Sequence, residues 1–214
     1  KTVVEGREHL PASGRALLVC NHGGALPWDA LVLAHALQPR VVRPLVEDPV
    51  MTAPFLGTLM TRLGCVRASQ ENAVRVLERD DVVAVFPEGM QGLSKLYRRR
   101  HKLARFGRGG FVKLAHKTGA AILPVALVGA EETAPLFGKI EMFFRDGPLP
   151  YLPITPFFPL PARWRIRIGA PIDVRARISE PNEVNVGQLA ALVREQIQAD
   201  VDKLVEERGK NVWL

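Results

Sequence analysis

Short runs of apolar, often β-branched residues bounded by turn-forming residues recur at 16–20, 41–46, 82–86, 122–128, 140–144 and 164–168, and read as strands. Between them, segments with helical spacing of apolar positions fall at 29–37, 53–63, 71–79, 110–118 and, longest, 186–207. Strand and helix alternate, which predicts an α/β fold: a mostly parallel central sheet flanked by helices. Asp80-Asp81 and Lys117-Thr118-Gly119 sit where helix must turn into strand, and Gly119 suits a left-handed cap. One stretch breaks the pattern. Between 147 and 161, six prolines interleave with Tyr151, Phe157 and Phe158, which excludes a regular helix or a central strand and leaves an extended crossing or loop.

The 214 residues, 47% hydrophobic and 24% charged, are enough for a real core, and one domain spanning 1–214 is expected. No stretch approaches the roughly 20 uninterrupted apolar residues of a membrane span, and the first residues lack signal-peptide order. Any membrane contact is therefore expected to be peripheral, on the cytoplasmic side. The chain opens at Lys1 rather than Met, already close to a strand-like run, so an upstream segment is expected. A formal charge of +7 points to anionic partners. Cys20 and Cys65 lie far apart inside apolar runs, which argues against a disulfide framework or a zinc cluster and for a reducing compartment.

In parallel α/β sheets ligands gather beyond the carboxyl ends of the strands, so the polar residues just after each strand are the candidates for chemistry. Asn21-His22-Gly23-Gly24-Ala25-Leu26-Pro27-Trp28-Asp29 follows the first strand and leads into a helix. A histidine that takes a proton from an alcohol needs a fixed tautomer, which a carboxylate on its far nitrogen supplies, and His22 with Asp29 has that chemistry. A helix-capping Asp29 and a packed His22 would account for the pair equally well when it is taken alone. Phe86-Pro87-Glu88-Gly89 ends a second strand, and Gly64-Cys65-Val66-Arg67 ends in a guanidinium able to fork a phosphate. His9, His35, His101 and His116 have no acidic neighbour at a suggestive spacing and read as surface or packing residues. No metal-ligand pattern is present in the sequence.

The order and spacing of these blocks over about residues 14–175 resemble the lysophospholipid and glycerolipid acyltransferase family, typified by bacterial and plastid glycerol-phosphate acyltransferases. In that family an Asn-His turn with a following Asp, a Gly-x-x-Arg block, a Phe-Pro-Glu-Gly block and a proline-bearing apolar strand come in this order. Here they correspond to His22 and Asp29, Arg67, Glu88 and Gly89, and Pro124. Phe106-Gly107-Arg108-Gly109-Gly110-Phe111 is similar to the family's Phe-x-Lys-Gly-x-Phe element, with Arg108 as the basic residue. The resemblance implies that His22 is the general base and Asp29 its orienting partner, while Arg67, Glu88 and Gly89 line the site for the acceptor's polar head. It implies transfer of a fatty acyl group from acyl-CoA or acyl carrier protein to a hydroxyl of a lysophospholipid or other glycerolipid, with no cofactor beyond that donor.

Two departures bear on the acceptor. Six residues separate His22 from Asp29 instead of the family's four, a spacing similar to that of some diacylglycerol-acyltransferase-like proteins, which keeps a neutral acceptor open. Met90-Gln91-Gly92 replaces the family's Arg-Ser after Glu-Gly, so Lys95, Lys102 or Arg108 are candidates to meet a phosphate in its place. The basic run from Lys95 to Arg108 suits coenzyme A phosphates, a lipid phosphate or an anionic bilayer, and a solvated loop would look the same. It lacks aromatic interleaving, so nucleic acid is not expected. No Gly-x-Ser-x-Gly elbow supports a hydrolase. Phe55, Leu56, Leu59, Met60 and Leu63 recur at helical spacing, more in keeping with core packing than with lipid contact.

Overall fold

The computed structural model describes residues 2–52, 54–141 and 151–213. Its strands are β1 (Thr2–Glu5), β2 (Ala16–Cys20), β3 (Val42–Val46), β4 (Val66–Arg67), β5 (Val82–Val85), β6 (Ala121–Val128), β7 (Gly138–Glu141), β8 (Tyr151–Ile154) and β9 (Trp164–Ile168). The helices are α1 (Trp28–Ala36), α2 (Asp48–Thr52), α3 (Leu56–Arg62), α4 (Gln70–Leu77), α5 (Met90–Leu93), α6 (Gly110–Thr118), α7 (Ala130–Thr133), α8 (Val174–Arg177) and α9 (Glu183–Arg208).

Seven strands form one sheet in the order β1-β9-β6-β2-β5-β3-β4. From β6 to β4 every pair is parallel, and β9 turns the direction by running antiparallel to β6, with β1 parallel to β9 beyond it. The expected α/β architecture with a mostly parallel sheet is what is found. β2 lies at the centre and is buried along its whole length. Its side chains divide between two cores by strand alternation: Leu17 and Val19 join α4, α6 and α9, while Ala16, Leu18 and Cys20 join Leu33 and Leu37 on the other face.

Helix ends follow local chemistry. Ser69 and Asn182 accept backbone N–H bonds at the starts of α4 and α9, and Gly119 closes α6 at φ 71°, as its place before a strand suggests. The helical run expected over 53–63 is found as the shorter α3, Leu56–Arg62, and only Met60 of its apolar set is buried. Phe55 is 92% exposed, and Leu59 and Leu63 also face outward. The core role expected for this set is thereby corrected: helical spacing gives the stripe, but among the described residues no layer of the fold covers Phe55, Leu59 and Leu63. Of the strand expected at 140–144, residues 142–144 lie outside the described residues, as do 147–150 of the proline-rich stretch. From Tyr151 that stretch forms β8, which pairs with β7 in a separate two-stranded ribbon.

The carboxyl end of β6 runs into α7, where Glu132 is fully buried. Its Oε1 accepts from His101 Nε2 at 2.8 Å and from Arg208 Nη2 at 2.5 Å, tying the last turn of α9 to the sheet edge. His101 is therefore part of a buried ionic cluster rather than a surface or simple packing residue, with partners some 30 and 107 positions away. Burial alone would raise the Glu132 carboxyl, but the bonds from His101 and Arg208 outweigh it and bring the group down to about 2. A carboxyl held below its ordinary value of 4.5 stabilises the fold above that value, and the contribution is lost as pH falls towards about 2. Glu132→Gln, which leaves Arg208 without its counter-charge, is expected to lower stability at neutral pH by about 3 kcal/mol. It should also flatten the acid limb of the stability curve, as followed by urea unfolding across pH.

Candidate active site

β2 ends at Cys20, and the next residue fixes how the chain leaves the sheet. Asn21 is buried, and its amide acts as one more rung of the ladder: Nδ2 donates to the Leu127 carbonyl at 2.9 Å and Oδ1 accepts the Leu127 N–H at 2.7 Å. His22 follows, its ring centroid 4.5 Å from that of Phe86. Its Nδ1 lies 2.5 Å from Asp29 Oδ2, and Asp29 is fully buried in the first turn of α1. The same carboxylate accepts the N–H of Gly23 at 3.0 Å and of Ala30 at 2.8 Å. The six intervening residues therefore fold back on themselves, and the long spacing does not part the pair. With a carboxylate at Nδ1, the proton is assigned to that nitrogen and Nε2 keeps the lone pair.

Glu88, 4% exposed, braces this turn from below. Its Oε1 accepts the His22 N–H at 2.8 Å, and its Oε2 accepts the Ala104 N–H at 2.5 Å, with Lys95 Nζ at 3.4 Å. Both oxygens are thus engaged by the protein itself, so Glu88 holds the backbone under the histidine. Lys95 also reaches Glu131 Oε1 at 3.3 Å and so lies between two buried carboxylates. Burial pushes the Glu131 carboxyl up, against the opposing pull of Lys95 and of the His101 N–H.

Packing around the turn leaves no slack. A Cβ at Gly92 would stand 2.6 Å from His22 Cβ, and one at Gly23 would stand 2.8 Å from Glu131 Cγ. Three N–H groups of the turn already have protein acceptors, Gly23 in Asp29, Ala25 in Ala134 and Trp28 in Leu26. Burial first, and the Asp29 charge second, push the Cys20 thiol well up, which fits a packing role.

His22 forms part of the wall of a cavity of about 230 Å³ whose lining is largely apolar, including Leu26, Leu31, Val50, Met60 and Leu93. Gly89 lines it too, at φ 52°, where a Cβ would stand 2.7 Å from Glu47 Oε1. A second cavity of about 310 Å³ shares Leu45, Glu47 and Phe86 with the first and reaches the glycines on either side of Arg108. The structure thus brings together His22, Asp29, Glu88 and Gly89. Arg67 sits at the same sheet edge, but its guanidinium is engaged by Asp48 and half exposed. Arg108 is exposed in the loop before α6, and Lys102 pairs with Asp202 at the surface. Sequence reasoning assigned no role to Asn21, Gly92 or Glu131. Asn21 was visible as part of the turn, whereas the partners of Gly92 and Glu131 are set by tertiary packing alone.

A histidine is thus fixed by a buried carboxylate at the carboxyl edge of a parallel sheet, beside a largely apolar cavity. The model of the family described as Acyltransferase matches residues 1–128, and the chain belongs to that family. It is 40% identical to an uncharacterised protein of Mycobacterium leprae over 99% of its own length, spanning 62% of that relative. It is 26% identical to a 1-acyl-sn-glycerol-3-phosphate acyltransferase of Borreliella burgdorferi, over 92% of this chain and 70% of the relative. In fold it matches the crystal structure of the 1-acyl-sn-glycerophosphate acyltransferase PlsC from Thermotoga maritima. The TM-score is 0.65 at 21% identity, over 95% of this chain and 71% of that one. The chain therefore spans less than two thirds of the mycobacterial relative it matches.

The brace under the histidine makes a direct prediction. Glu88→Gln keeps the size of the side chain but offers one carbonyl oxygen where two oxygens accept N–H bonds. It also removes a counter-charge of Lys95. It is expected to cost about 2 to 3 kcal/mol in chemical denaturation, and to raise amide exchange at His22 and Ala104.

Proposed function

We propose that the chain transfers a fatty acyl group from a thioester, acyl-CoA or acyl carrier protein, to a hydroxyl of a lysophospholipid or other glycerolipid. The observation that carries this reading is the 2.5 Å contact of His22 Nδ1 with buried Asp29 at the wall of a largely apolar cavity. In this reading the acyl chain lies in that cavity and the acceptor hydroxyl approaches Nε2. Nε2 takes the hydroxyl proton as the oxygen bonds to the thioester carbon; the carbon–sulfur bond then breaks, and the thiolate takes the proton from the imidazolium. Asp29 holds the ring and offsets its transient charge. Similarity to the 1-acyl-sn-glycerol-3-phosphate acyltransferase of Borreliella burgdorferi supports a lysophosphatidate-type acceptor. The sequence Met90-Gln91-Gly92 after Glu88-Gly89 keeps a diacylglycerol in the acceptor panel.

Thiol release from palmitoyl-CoA, measured with and without lysophosphatidate or diacylglycerol, tests the reading and separates transfer from hydrolysis. His22→Ala is expected to reduce acceptor-dependent release by about 100-fold or more, with unfolding stability close to the parent. Asp29→Ala should lower kcat by a similar factor, and unchanged turnover would remove Asp29 from the mechanism.

A glycerolipid acceptor implies work at a bilayer surface. Among the described residues no helix is long and apolar enough to cross a membrane. Supporting peripheral binding, Leu56 and Met60 of α3 line the apolar cavity, while Phe55, Leu59 and Leu63 beside them are exposed. Phe157 and Phe158, after β8, form a second exposed aromatic pair. Phe55→Ser with Leu59→Ser is expected to reduce flotation with phosphatidylglycerol vesicles at least several-fold, because two apolar anchors are lost. Equal flotation of parent and variant would argue against α3 as the lipid-facing element.

A further inference from the structure

Beyond Glu88, on the side towards α5 and the loop that follows it, lies a basin of about 520 Å³. Of the ten described residues that line it, five are cationic, Lys95, Arg98, Arg99, Lys102 and Lys139, and none is acidic. Two of the five are engaged: Lys95 by Glu88 and Glu131, and Lys102 by Asp202 at the surface. Arg98, Arg99 and Lys139 have no carboxylate partner among the described residues, although Lys139 lies 4.8 Å above the Tyr151 ring. Concentrating this much positive charge in one concavity raises the potential there, and an anion of matching size lowers it.

The basin is joined to the histidine through one residue. Ala104 lines it and gives its N–H to Glu88 Oε2, while Glu88 Oε1 holds the His22 N–H. Lys95 lines the basin and lies beside the same carboxylate. The largely apolar cavity includes His22, Met90 and Leu93 in its wall, while Gln91, Ser94 and Lys95 of the same short stretch line the basin. An apolar compartment and a polycationic one thus adjoin the same few residues around His22. That is the division a substrate with a fatty chain and a phosphate would need.

We infer that the basin binds the phosphate-bearing part of a substrate through Arg98 and Arg99, joined by Lys102 as it leaves its exposed pair with Asp202, with Lys139 at its border. The inference rests on the acyl-transfer reading for the word substrate, while the binding itself is a property of the basin. Two sources supply the same chemistry: the nucleotide end of coenzyme A, with its monoester and diphosphate, and the phosphate monoester of a lysophospholipid headgroup. Planar guanidinium forks suit either one. The basin also offers a physical reason why the chain can lack the Arg-Ser that resembling proteins carry after Glu-Gly: the charge sits a few residues further along, at 95–102.

Titration calorimetry with adenosine 3′,5′-bisphosphate and with glycerol 3-phosphate reads binding without turnover. The exposed triple variant Arg98→Ala/Arg99→Ala/Lys102→Ala is compared with Lys113→Ala/Arg177→Ala/Lys203→Ala, which removes equal charge elsewhere. The basin variant is expected to weaken one of the two probes by about tenfold or more, the scale of lost charge-assisted contacts, and the control by about twofold or less. Loss for the bisphosphate assigns the basin to the donor nucleotide, and loss for glycerol 3-phosphate assigns it to the headgroup. Failure of the parent to bind either probe, or equal weakening in both variants, overturns the inference. Phosphate binding that depends on the basin in a chain that releases no thiol would sink the acyl-transfer reading and leave the basin standing.

Discussion

The arrangement of the site depends on a carboxylate whose two oxygens are both taken up by the backbone. Glu88 accepts one N–H from the turn after β2 and another from Ala104, and so ties two separate stretches of chain together at the carboxyl edge of the sheet. A buried carboxylate is tolerated only where its lone pairs and charge are met, and Lys95 completes the set. With that bond in place, Asn21 on the Leu127 backbone and Asp29 on the imidazole fix the histidine from two further directions. Chemistry that needs an imidazole held to within a fraction of an ångström rests here on backbone hydrogen bonds rather than on the bulk of the core.

Much of the architecture was legible from the chain because the parallel strands are buried on both faces and so appear as continuous apolar runs. β2, β5 and β6 were placed within one residue for this reason, β3 and β9, which are only partly buried, were placed as closely by their β-branched positions, and α6 was placed at its own ends with the help of the Gly119 cap. β8 escaped because its prolines disqualify it from a central sheet, and the ribbon with β7 respects that rule by standing apart. α3 shows the opposite limit. A helical stripe says that one face is apolar, and only the assembled fold says whether anything covers it.

Within the site, His22, Asp29, Glu88 and Gly89 were readable because each follows a strand or opens a helix and carries chemistry of its own. The parts that were not readable depend on partners far away in sequence. His101 has no acidic residue near it in the chain, yet Glu132 reaches it across 31 positions and Arg208 across 107. Glu88 was expected to face the acceptor; its oxygens are instead taken by the backbone, which no residue pattern encodes. Lys95, one of a dense run of cations, is distinguished from its neighbours only by lying between two carboxylates.

The edge of the sheet carries a consequence for the order in which the molecule assembles. Among the described residues β1 has a single sheet neighbour, β9, and Thr2 meets Trp164 from far along the chain. During synthesis β1 emerges long before its partner β9, and while it waits its amides remain open to other strands. The central parallel block closes without β1, since its last strand is β6. Growth of the polypeptide and growth of the sheet therefore run out of step, and a strand made before the whole parallel block is among the last to find its place.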